Sequence, residues 1–290
     1  MSDPIRTRKM SKPREYPEVP EPLVLGTYDN HTHLEIADSD NPLSVEQQIA
    51  LMKQSGMLGA VQVGVTLESS KWSVEAASNH SELLAAVALH PNEAPLYGSS
   101  EALEQAVAEI AELAQKERVR AVGETGLDYF RTEGEEQLAL QKKSFEWHIE
   151  IAKENDIALQ IHDRDAHADV VETLQRVGAP DRTVFHCYSG DVELARICNQ
   201  NGWYMSFAGN VSFKKNTHLQ QSFLEADSGL RLIETDAPFL APEPIRGRPN
   251  APYLVPHTLR YLSELGEIRP EQLAAEINEN TLSVYGSWGN

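Results

Sequence analysis

Two periodicities alternate along the chain from residue 23 onward. Short runs of β-branched and aliphatic residues, bounded by glycine, proline, asparagine or aspartate, predict strands at residues 25–30, 59–66, 83–90, 120–124, 158–162, 183–186, 203–208 and 230–236. Between them apolar residues recur every three or four positions. That spacing predicts helices at residues 44–55, 100–117, 135–155, 166–177, 192–201 and 255–265, with a terminal addition at 270–284. Alternating strands and helices form a parallel sheet whose faces are covered, and eight such strands predict a (β/α)8 TIM barrel of the α/β class. A single domain over residues 23–290 is expected. An open doubly wound sheet alternates in the same way, but its usual nucleotide-binding form needs a glycine-rich loop after the first strand. That position holds His31 and His33 instead.

Composition narrows the picture. A content of 41% hydrophobic and 24% charged residues is that of a globular chain. No apolar run is long enough to span a bilayer, the N-terminus lacks the apolar core of a signal peptide, and Cys187 and Cys198 are too few for a disulfide framework. A cytoplasmic protein is expected. The net charge of −19 argues against a broadly basic nucleic-acid surface, though not against a local basic patch. Residues 1–22 hold five basic and four acidic side chains and five prolines, so the acidity belongs to the rest of the chain. They are expected to form a flexible or loosely docked extension.

Candidate chemistry begins with Asp29-Asn30-His31-Thr32-His33. Side chains on a strand alternate faces, so His31 and His33 share one side and can hold one metal, with Asp29 and nearby backbone groups fixing their tautomers. In a barrel of this kind chemistry sits at the C-terminal ends of the strands. Glu124, His162, His186 and Asp236 close the fourth, fifth, sixth and eighth predicted strands, at the same rim. Each alone has an ordinary reading: core histidines, a helix-start carboxylate, a turn former before Pro238. Together, four histidines and two carboxylates suffice for two adjacent divalent ions sharing Glu124, with positions left for water and substrate.

The segments Asp29-Asn30-His31-Thr32-His33-Leu34, Gly123-Glu124-Thr125-Gly126-Leu127-Asp128-Tyr129, Gln160-Ile161-His162-Asp163-Arg164, His186-Cys187-Tyr188-Ser189-Gly190 and Glu234-Thr235-Asp236-Ala237-Pro238 resemble, in order, the motifs of the TatD-type metal-dependent deoxyribonucleases of the amidohydrolase-like superfamily. The resemblance implies a (β/α)8 barrel that hydrolyses phosphodiester bonds of DNA, as a 3'-5' exonuclease. It further implies that His31, His33, Glu124 and Asp236 hold one metal, and Glu124, His162 and His186 the second. Two departures stand out. His90-Pro91 is followed by Asn92 where many members have a second histidine, and Glu35 stands where many have aspartate.

Around this core the remaining candidates carry two readings each. His90 can meet a phosphate or stabilise a departing oxygen, or serve a structural role fixed by Pro91. The planar fork of Arg164 suits phosphate, or an ion pair with Asp128 or Asp163. Tyr129 and Phe130 can stack on bases or simply pack. Lys214, Lys215, Arg246 and Arg248 are candidates for backbone phosphates, with Asn250 as a hydrogen-bonding neighbour, against solvated surface charge. Asp236 is the expected proton acceptor and Cys187 a packing residue. The cofactors expected are two divalent ions, magnesium, manganese or zinc. The expected partner is DNA, single-stranded or at 3' ends, bound by a monomer. A metal-dependent hydrolase of small lactones, esters or amides is the alternative on the same barrel, and a non-catalytic metal-binding scaffold a third. With Glu124 at the end of the fourth strand, no lysine stands there to form a carboxylated bridge.

Overall fold

The computed structural model describes residues 15–37, 39 and 41–288. Its eight strands are β1 (Thr27–Thr32), β2 (Met57–Val63), β3 (Leu83–Val87), β4 (Val119–Asp128), β5 (Ala158–Arg164), β6 (Thr183–Phe185), β7 (Tyr204–Phe207) and β8 (Arg231–Ile233). They run parallel and pair in chain order. The segment just beyond β8 meets β1: the Asp236 amide donates to the His31 carbonyl at 3.0 Å and the His33 amide to that of Ala237 at 2.8 Å. The expected (β/α)8 TIM barrel is therefore what the chain forms.

Helices α1 (Val45–Gln54), α2 (Leu67–Asn79), α3 (Ser100–Ala114), α4 (Glu135–Glu154), α5 (His167–Val177), α6 (Val192–Asn201), α7 (Thr217–Glu225), α8 (Val255–Leu265) and α9 (Pro270–Tyr285) surround the barrel. Side-chain oxygens start several of them: Ser44 and Thr66 form reciprocal capping boxes with Gln47 and Ser69, and Asp191 caps α6. Sequence periodicity misses α2 and α7. The buried face of α2 is Ser70, Ser73, Ala76 and Ala77, small residues that make no apolar stripe. No described helix is long and apolar enough to cross a membrane.

Inside the barrel, Ala86, Ala121 and Ala158 leave room that larger side chains would fill. Tyr285 at the end of α9 and Trp288 beyond it pack into that space with Val61, Leu84 and Leu232. The lower end is thus plugged with apolar groups, while Gln160 above it bonds the Asn30 carbonyl and the Tyr285 hydroxyl. Of the expected N-terminal extension, residues 1–14 lie outside the described residues. From Glu15 to Pro22 the chain is held on the barrel, Arg248 donating to the carbonyls of Glu15 and Tyr16, Tyr253 to that of Pro17 and Arg260 to those of Glu21 and Pro22.

Several strand limits differ from expectation. Strands β4 and β5 run on past Glu124 and His162 to Asp128 and Arg164, so these two candidates lie within strands instead of closing them. β8 ends at Ile233, which places Asp236 in the loop that follows.

Candidate metal centre

The register of β4 explains how Glu124 reaches the barrel mouth. Val122 pairs with Leu159 and Thr125 with Ile161, so one extra residue is accommodated in β4, and such bulges re-aim the side chains they contain. Gly123 permits it, because a Cβ there would sit 2.5 Å from that of Gln160. Gly126, at φ +135°, lets β4 approach the His162 carbonyl, which a Cβ would meet at 2.1 Å. β1 has a similar shift between Asp29 and Thr32.

The two carboxylate oxygens of Glu124 face two groups of donors. Oε2 lies 3.6 Å from His31 Nε2 and 3.7 Å from His33 Nε2. These nitrogens are 3.2 Å apart, and Asp236 Oδ1 stands 3.6 Å from His33 and 4.0 Å from His31. Oε1 lies 2.6 Å from His162 Nδ1, 3.0 Å from His186 Nε2 and 3.3 Å from His90 Nε2. Two atoms that share one ion at about 2.1 Å are separated by about 3.0–3.5 Å when adjacent and by up to about 4.2 Å when opposite, so all but the shortest of these spacings suit common coordination. Nitrogen and carboxylate oxygen are also the donors that divalent transition metals and zinc accept. The residues present fit a metal centre.

Outer partners orient the rings. His33 Nδ1 bonds the Val63 carbonyl at 2.9 Å and His186 Nδ1 bonds Glu234 Oε1 at 2.9 Å. His162 Nε2 meets Asp128 Oδ2 at 3.2 Å. Asp29, expected to serve the histidines directly, instead accepts from the amide and hydroxyl of Thr235 and from the His31 amide, and so ties β1 to the segment carrying Asp236. Asp236 has φ +53°, a left-handed backbone unusual for a non-glycine and common where function demands a fixed direction. Its side chain is the most open of the clustered carboxylates, 14% exposed against 6% for Glu124.

Electrostatics follow from crowding these groups out of water. Burial raises the pKa of a carboxyl, but His186, His90 and His162 overcome it and hold Glu124 well below the usual range. Burial opposes charge on His33, yet Asp236, Glu35 and Glu124 raise it to about 9. His186 is likewise raised against the effect of burial by Glu124 and Glu234, while burial and the stacked His186, with ring centroids 3.7 Å apart, lower His31. Cations entering the centre would replace protons there. Burial pushes the Cys187 thiol up, in keeping with packing instead of nucleophilic use.

The structure brings together His31, His33, Glu124, His162, His186, Asp236 and His90. The expected substrate residues divide. Arg164 lies over the exposed ring of Phe130, 4.0 Å from its centroid, and forms no ion pair among the described residues. Arg246 covers Phe213 in the same way, and Lys214 and Lys215 beside it are exposed. Tyr129 is differently engaged: its hydroxyl donates to Asp169 at 2.6 Å, a carboxylate shared with Lys142, which ties the ring to α4 and α5 instead of leaving it free to stack on a base. Asn250 is buried and donates to the carbonyls of Thr235 and Phe239, and Arg248 is used by the N-terminal segment. Sequence reasoning missed Glu234 and Asp128 as orienting groups. It also missed a groove of about 510 Å³ over the ends of β1 to β3, lined by Glu35, Val65, Trp72 and Tyr97.

A family model described as TatD related DNase matches residues 28–286. The chain is 38% identical over 262 residues to an uncharacterized metal-dependent hydrolase, TatD, of Mycobacterium tuberculosis, covering 89% of this chain and 97% of that one. Over 259 residues it is 34% identical to the uncharacterized metal-dependent hydrolase YabD of Bacillus subtilis, covering 89% and 98% of the two chains. Among solved structures it is similar to YJJV, a TatD homologue of Escherichia coli K12, with a TM-score of 0.79 and 24% identity across 90% of this chain and 98% of that one.

Proposed function

The chain belongs to the TatD-related DNase family of metal-dependent hydrolases acting on ester bonds, and from that premise we propose that it cleaves phosphodiester bonds of DNA, working from 3' ends of single strands, with two divalent ions. One observation carries the reading: Glu124 turns one oxygen to His31 and His33 and the other to His162 and His186. His31, His33 and Asp236 would hold one ion with Glu124, and His162 and His186 the other. Ions there would lower the pKa of a water and offset charge building on the phosphoryl oxygens.

The chain's own groups supply the rest. Asp236, the most open carboxylate of the cluster, accepts the proton of the attacking water. Arg164 on Phe130 and Arg246 on Phe213 offer guanidinium planes to phosphates and bases, with Lys214 beside the second pair. The groove beside Trp72 and Tyr97 receives the neighbouring nucleotide. Because the net charge is −19, affinity rests on these few contacts and falls as salt rises. A mouth recessed among loops admits a chain end more readily than an unbroken duplex.

The purified chain, supplied in turn with magnesium, manganese and zinc, is to be offered end-labelled single-stranded DNA, duplex DNA, closed circular duplex, RNA, and small lactones and amides. The reading expects metal-dependent shortening of single strands from the 3' end. Equal rates on closed circles would refute the chain-end preference. Turnover of a lactone or amide, with no DNA cut under any metal, would overturn the reading itself.

A further inference from the structure

Five imidazoles face the centre, and the partner of each far nitrogen determines what the near nitrogen can do. A neutral imidazole has one N–H and one lone pair, so a ring that donates outward keeps its lone pair inward. The Val63 carbonyl, Glu234 and Asp128 are acceptors behind His33, His186 and His162. These three rings therefore turn lone pairs to the centre, as ligands must. His31 Nδ1 is buried without a partner, so no outer bond selects its tautomer.

His90 is built the other way round. Its Nδ1 accepts the backbone N–H of Asn92 at 3.0 Å. Pro91 has no N–H, so the amide of Asn92 is the first that can reach back to the ring. A backbone N–H only donates, which puts the lone pair on Nδ1 and the proton on Nε2, the atom 3.3 Å from Glu124 Oε1. The surroundings hold this arrangement. The His90 amide donates to the Val65 carbonyl, the Leu89 amide donates to His148 Nε2, and Asn92 Nδ2 donates to Asp128. The His90 side chain is 15% exposed, and its Nε2 stands beside Glu124 Oε1.

We propose that His90 is a neutral hydrogen-bond donor to a non-bridging oxygen of the scissile phosphate, neither a metal ligand nor a source of protons; this rests on the phosphodiesterase reading. As a ligand, Nε2 would need the lone pair that Nδ1 is using. Protonating Nδ1 would set two N–H groups against each other, and surrendering the Nε2 proton would leave an imidazolate. A fixed neutral donor suits an oxygen that gathers charge without being protonated, which a leaving alkoxide is not.

Nitrogen-15 spectra of the histidine-labelled chain, with His90 assigned by its absence in His90→Gln, read the tautomer directly. The Nε2–H form is expected, and the Nδ1–H form would overturn the proposal. Metal content separates a donor from a ligand. His90→Ala should bind metal as the parent does, and loss of an ion would overturn the proposal. Rates on a DNA strand and on bis(p-nitrophenyl) phosphate separate a donor from a general acid. His90→Ala should lose about 10²–10³-fold in kcat on both, and His90→Gln, whose amide nitrogen can replace Nε2–H, should recover to within about tenfold with an unchanged pH profile. Glutamine as inactive as alanine, with the loss confined to DNA, would instead make His90 an acid. If neither phosphodiester is cleaved, the phosphodiesterase reading falls and the phosphoryl contact with it. Cleavage by a chain carrying the Nδ1–H tautomer removes only the role of His90.

Discussion

Glu234→Gln removes a charge from behind His186 while keeping the volume of the side chain. Glu234 is fully buried, and its Oε1 accepts from His186 Nδ1 at 2.9 Å and from the Cys187 amide at 2.8 Å. Its negative charge also makes the imidazole more basic. An amide oxygen has two lone pairs and can still accept from both donors, but without charge, so the basicity of His186 suffers while its orientation is kept. Outer partners of this kind typically contribute 10–100-fold in metal affinity, or about 1.4–2.7 kcal/mol. An ion proposed for His162 and His186 should therefore bind about that much more weakly, while one proposed for His31 and His33 keeps its affinity. Competition against a chromophoric chelator, with stoichiometry fixed by elemental analysis, resolves the two. Activity should return at high metal concentration. Unchanged affinity at both positions, or weakening confined to the His31 and His33 set, would show that Glu234 does not support the centre in this way.

Other perturbations reach different parts of the account. Asp236→Asn should retain both ions by elemental analysis yet lose about 10²-fold or more in turnover, and a parent-like rate with metal retained would place the base elsewhere. Burial lowers the pKa of His148 to about 4 from 6.5, so the stability it contributes is present above pH 6.5 and lost as pH falls through 4, about 3 kcal/mol in all. Urea unfolding of His148→Gln should show a correspondingly smaller acid loss over that window, and an identical pH dependence would refute the assignment. Arg164→Ala and Arg246→Ala should each weaken single-strand binding about 3–10-fold and lower the slope of log affinity against log salt by about 0.7. An unchanged slope would remove that arginine from the path of the strand.

The barrel could be read from alternating periods because its strands are apolar on both faces and its helices carry stripes, and its failures are local. In α2 the buried Ser70, Ser73, Ala76 and Ala77 pack closely against β3 through small side chains, which hydropathy registers as polar or neutral. The candidate ligands could be read because each follows an apolar run, although Glu124 and His162 lie within β4 and β5 and Asp236 lies beyond β8. What supports them was harder to see. Glu234 stands two residues before Asp236 and reaches His186 only across the barrel mouth, and Asp128 meets His162 only because β4 runs on beside β5. Pairings of this kind depend on register, which a bulge at Gly123 shifts by one. Tyr129 and Asn250 have residue types suited to nucleic acid, yet Tyr129 is tied to α5 and Asn250 to the backbone near Asp236, contacts that residue type does not announce.

Anomalous diffraction from crystals soaked in manganese tests the shared carboxylate most directly. Two peaks about 3.5–4 Å apart are expected, one bounded by His31, His33 and Asp236, the other by His162 and His186, with one oxygen of Glu124 on each and His90 on neither. A single peak at full occupancy, or two peaks without Glu124 between them, would contradict the account.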